Sequence, residues 1–152
     1  MKYVLFSFLA VFITIGTFAQ KHDPISWSTT YEKMNDSTFK IIFIATIEQG
    51  WHIYSQKQPP EAISVPTTIH FDNSPLIKLS GNLKEKGKME VYKDEVSGII
   101  QNQYENKLEF NQVVVLKKNI KTNLSGNIKY QACTKEMCLP PANTLFSIPL
   151  SR

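Results

Sequence analysis

Apolar and polar positions alternate with a period of two along most of the chain, the spacing of half-buried strands rather than of helices. From Thr38 to Ile47, residues Phe39, Ile41, Phe43, Ala45 and Ile47 fall on one face. Asn35-Asp36-Ser37 forms a polar turn ahead of that run, and Ile25 to Glu32 precedes it, so the two segments predict a hairpin. Leu108, Phe110, Gln112, Val114 and Leu116 alternate with Glu109, Asn111, Val113 and Val115, predicting a strand that is half buried or more. Further strands are expected at Trp51 to Tyr54, Thr67 to Phe71, Leu76 to Ser80, Met89 to Tyr92, Gly98 to Tyr104, Asn123 to Tyr130 and Thr144 to Leu150. No helix of useful length is expected. Many short strands separated by turns, with Pro59-Pro60, Pro66, Pro75 and Pro140-Pro141 interrupting the ladders, predict an all-β antiparallel β-sandwich.

The N-terminus breaks this pattern. Met1-Lys2 gives a positive start, Tyr3 to Ile15 is uncharged and mostly apolar, and Thr17 and Ala19 supply small residues at the −3 and −1 positions of a cut after Ala19. Residues 1–19 therefore read as a secretory signal peptide, with residues 20–152 as one exported domain. The 152-residue length fits one core, and the 42% hydrophobic and 20% charged content lies well inside the globular range. Seventeen Lys and Arg against thirteen Asp and Glu leave +4, and losing Lys2 lowers that by one. So small an excess gives no argument for nucleic acid.

Export changes the meaning of the two cysteines, because an oxidising compartment favours pairing Cys133 with Cys138. Together with His52 they could supply three metal ligands, one short of a closed structural zinc site, so no metal is expected. No nucleophile elbow, paired-histidine zinc motif or phosphate loop is present. The mixed-sign run Lys84-Glu85-Lys86-Gly87-Lys88 reads as a solvated loop, and Trp27 and Trp51 as aromatics in or near the core. A disulfide closing so short a loop stabilises by about 2 kcal/mol. From spacing alone it can be a structural staple or a redox pair. Lys135 inside the loop favours a thiolate and Glu136 opposes it.

Three motifs in order carry a resemblance. Tyr130-Gln131-Ala132-Cys133, followed by Cys138-Leu139-Pro140-Pro141, resembles the active-site segment of the N-terminal periplasmic domain of DsbD, the thiol:disulfide interchange protein. Gly50-Trp51-His52-Ile53-Tyr54 is similar to that family's Gly-aromatic-x-aliphatic-Tyr strand, and Gly87-Lys88-Met89-Glu90-Val91-Tyr92-Lys93-Asp94 to its Gly-Lys-x-Glu-aliphatic-Tyr-basic-Asp segment. The resemblance implies an immunoglobulin-like sandwich and a periplasmic electron relay without a cofactor. Cys133 and Cys138 would be the redox pair, with Cys138 forming the mixed disulfide, and Tyr54 and Tyr92 would shield it. Partners would be thioredoxin-like periplasmic proteins and, if Arg152 ends the whole protein, a separate membrane-embedded reductant. Two features depart from the family. The cysteines are separated by four residues, one fewer than in better-known members, and Leu83 to Lys86 lack the aromatic that caps the cysteines there. The competing reading is a noncatalytic exported protein-binding sandwich that keeps the disulfide as a staple, and a third is a carrier of a small ligand or metal between the sheets.

Overall fold

The structure, a computed structural model, describes residues 23–117 and 120–151. The expected signal peptide with its cut after Ala19 lies outside the described residues. Among the described residues eleven strands run β1 (Ile25–Lys33), β2 (Thr38–Ile47), β3 (His52–Tyr54), β4 (Thr68–Phe71), β5 (Ile77–Lys86), β6 (Met89–Lys93), β7 (Ile100–Glu105), β8 (Lys107–Leu116), β9 (Lys121–Tyr130), β10 (Ala132–Cys133) and β11 (Ala142–Ser151). They build three sheets in the orders β1-β2-β8-β5, β10-β3-β7-β6 and β11-β9-β4, every ladder antiparallel. The result is the expected all-β, immunoglobulin-like sandwich.

Alternation explains how the layers close. Phe39, Ile41, Phe43, Ala45 and Ile47 of β2 and Leu108, Phe110, Val114 and Leu116 of β8 are all buried, and they meet Leu124, Ile128 and Tyr130 of β9 and Ile148 and Leu150 of β11 in one core. The Phe43 ring lies 4.8 Å from that of Phe146 and 6.0 Å from that of Phe71, so three phenylalanines from β2, β11 and β4 join the first sheet to the third. Trp27 of β1 reaches Tyr130 at 5.5 Å between ring centroids, and the Tyr130 hydroxyl donates to Asp23 at 2.5 Å. Trp27 and Trp51 both pack against the core, as their aromatic character suggested. The turn expected between β1 and β2 is made by the Asn35 side chain, whose Oδ1 accepts from the backbone N–H groups of Ser37 and Thr38. At Gly126 of β9 a side chain would put its first carbon 2.0 Å from the carbonyl oxygen of His70, so glycine there lets β4 approach.

Two parts of the ladder differ from the sequence reading. The expected strand Leu76 to Ser80 does not stop at Ser80: a register shift between Ser80 and Lys84 carries β5 on to Lys86, so Lys84, Glu85 and Lys86 pair with β8 instead of forming a solvated loop. Glu85 is the reason that half-strand is anchored. Its carboxylate accepts from the Ser55 hydroxyl at 2.7 Å, the Gln56 N–H at 2.6 Å and the Tyr104 hydroxyl at 3.3 Å. Burial, with the Glu85 charge and hydrogen bond, pushes the Tyr104 hydroxyl up to about 12. The second difference is β10, a two-residue strand on the edge of the second sheet, too short to leave a periodic signal.

Candidate functional site

The site grows from the edge strand β10. Tyr130 ends β9 and Gln131 breaks the run, after which Ala132 pairs with Ile53 and Cys133 with His52. Facing residues of a ladder project to one side, so Ala132, Ile53 and Tyr104 turn toward the core while Cys133 and His52 share the opposite face. Beyond Cys133 the chain reverses sharply. The Thr134 N–H donates to the Met137 carbonyl at 2.8 Å, and the Thr134 hydroxyl accepts from the N–H groups of Glu136 and Met137. The returning Leu139 N–H donates to the Ala132 carbonyl at 2.9 Å, and the Gln131 amide donates to the Leu139 carbonyl at 3.0 Å. These bonds set Cys138 opposite Cys133 with 4.0 Å between their α-carbons, and the two sulfurs form a disulfide.

The two halves of this disulfide face different surroundings. Cys133 is fully buried, whereas Cys138 is exposed, as are Lys135, Glu136 and Met137 in the loop. An attacking sulfur approaching from solvent therefore meets Cys138 first.

Tyr54 sits on the same face as Cys133, two residues along β3 from His52. Its hydroxyl lies 3.3 Å from His52 Nε2, with the rings edge to face at 5.2 Å. Both rings are buried. Burial holds the His52 imidazole below its ordinary 6.5 and raises the Tyr54 hydroxyl, which Tyr92 raises further by its charge. Tyr92 shares that face on the far edge strand β6, three places from β10 in the sheet order, so it stands beside Tyr54 rather than beside the cysteines. Leu83 to Lys86, which lack a capping aromatic, belong to β5. His52 was weighed in the sequence only as a metal ligand. Its spacing from Tyr54 showed a shared face, but its register with Cys133 joins residues some eighty positions apart and has no local signal.

The sequence matches the model of the family described as thiol:disulfide interchange protein DsbD, N-terminal, over residues 25–150. Among solved structures, the N-terminal periplasmic domain of ScsB from Proteus mirabilis is similar at a TM-score of 0.58 and 18% identity, covering 86% of this chain and 47% of its own. This chain thus spans about half the length of that relative. The DsbD N-terminal domain of Neisseria meningitidis, in its reduced form, is similar at a TM-score of 0.52 and 19% identity, covering 85% of this chain and 87% of its own. At such identities these likenesses speak to the fold. Comparison with curated proteins gives no match. With the family model matched over nearly all of the described residues, the chain belongs to the DsbD N-terminal family.

Proposed function

We propose that this member of the DsbD N-terminal family is an exported, periplasmic thiol:disulfide exchange module, released from its leader near Ala19. It would relay electrons through Cys133 and Cys138 between a membrane-embedded reductant and thioredoxin-like proteins. The observation that carries this reading is the asymmetry of the disulfide: one sulfur is presented on an exposed loop and the other is held in a buried two-residue strand. Exchange needs one sulfur open to attack and another that can resolve the intermediate without diffusing away.

In the delivering direction the Cys138 thiolate attacks a partner disulfide, and the partner's second sulfur leaves as a thiolate and takes a proton. Cys133 then attacks Cys138 within the mixed disulfide, the bond to the partner breaks, and the partner departs as a dithiol. The Cys133–Cys138 disulfide that remains is recharged by two electrons from the membrane-side dithiol. Every atom and electron is supplied by the thiols themselves, so no cofactor enters. Tyr54, with Tyr92 beyond it, shields the inner side of the pair.

Direct transfer tests the proposal. The reduced domain, mixed with the disulfide form of a thioredoxin-like protein and quenched with a mass-tagging alkylator, should lose two tags while the acceptor gains two. No movement of tags in either direction, with both proteins folded, would overturn it.

A further inference from the structure

The exchange reading leaves a difficulty at Cys133. Resolution of the mixed disulfide requires its thiolate, yet the residue is fully buried, and burial opposes ionisation and keeps out the water that would take the proton. Some neighbouring group has to carry that proton.

We propose that His52 is the proton carrier of Cys133, accepting the thiol proton as Cys133 attacks and returning it when Cys133 leaves. The inference rests on the exchange function proposed above. Three observations support it. His52 is the direct ladder partner of Cys133, and side chains so paired have their first carbons about 4.5–5.5 Å apart on one face. The Tyr54 hydroxyl, 3.3 Å from Nε2, holds the imidazole in place. Burial lowers the ring's affinity for protons, so at neutral pH it is unprotonated, the form able to accept.

The groups sharing that face complete the picture. Glu105 of β7 pairs with His52 from the other side, so Cys133, His52 and Glu105 form one row across β10, β3 and β7. Tyr54 flanks His52 on its own strand, Glu90 and Tyr92 follow on β6, and Lys135 and Glu136 lie in the exposed loop beyond Cys133. The step balances: in resolution the proton passes from Cys133 Sγ to His52, the new bond joins the two cysteine sulfurs, and the departing partner thiolate takes up a proton. In the reverse direction a partner thiolate attacks Cys138, and the imidazolium protonates Cys133 as it leaves.

A nitrobenzoate disulfide that releases a coloured thiolate at each step separates the two attacks. Mixed with the reduced protein, it should give a fast phase that depends on reagent concentration, from Cys138, and then a concentration-independent phase, from Cys133. His52→Gln should slow the second phase on the order of 100-fold at neutral pH and leave the first unchanged. The wild-type second phase should fall only as pH drops through the lowered imidazole range and stay level above it. The variant's second phase should climb with pH toward the thiol range, about 8.5 and beyond. A second phase indifferent to the substitution in rate and in pH profile overturns the proposal. In the unmutated protein, the His52 ring protons followed by NMR should titrate differently in the dithiol and disulfide forms. Identical titrations in the two forms also overturn it. A pair that dithiothreitol cannot open releases no colour at all, and that outcome sinks the exchange function itself rather than the role of His52.

Discussion

Cys133→Ser, incubated with the disulfide form of a thioredoxin-like protein, should accumulate a covalent complex through Cys138 that reductant dissolves, and Cys138→Ser should trap at least about tenfold less. The reason is geometric. Cys138 lies at the exposed end of the loop that the Thr134–Met137 turn folds back, where a partner can reach it. Cys133 is fully buried in β10, its backbone paired with β3 and its side chain on the face occupied by His52 and Tyr54. The Cys133→Ser protein keeps the accessible sulfur and loses the one that would release the partner. Non-reducing electrophoresis reads the outcome. Equal trapping by the two variants would show the roles to be wrongly assigned.

Phe43→Ala should cost about 3 to 5 kcal/mol of stability. Phe43 is fully buried at the centre of β2, facing Phe146 and Phe71 across the sandwich, and two rigid neighbouring rings cannot collapse into the space that truncation leaves. Lys86→Ala makes the contrast. Its side chain is 76% exposed and its ammonium lies 3.8 Å from Glu109, so losing it should change stability by no more than about 0.5 kcal/mol. Urea titrations giving comparable losses for the two would contradict the assignment of inside and outside.

The core was legible because burial leaves a mark on sequence. In β2 and β8 every second residue faces the other layer and is apolar except Gln112 of β8, so the alternation marks the inward faces in the sequence. The second half of β5 left no such mark. It is an edge strand whose side chains at Lys84 and Lys86 face solvent, and it pairs through its backbone after a register shift, so its charges read as a loop. β10 has two residues, fewer than one period of alternation. At the site, the cysteines were visible by their type and spacing, and Tyr54 by its motif. The row from Cys133 through His52 to Glu105 was not, since it exists only once three strands distant in sequence are laid side by side. Tyr92, on the same face of that sheet, stands on β6 at the far end of the strand order.

The central claim is that the Cys133–Cys138 disulfide is labile and reversible in the folded protein rather than a fixed staple. Equilibrating the protein across a series of reduced to oxidised glutathione ratios, trapping free thiols by acid quench and alkylation, and counting tags by mass tests it most directly. The pair should convert from disulfide to dithiol within the series while the domain stays folded by circular dichroism. A disulfide that remains closed across the whole series and in excess dithiothreitol, opening only when the domain unfolds, would contradict the account.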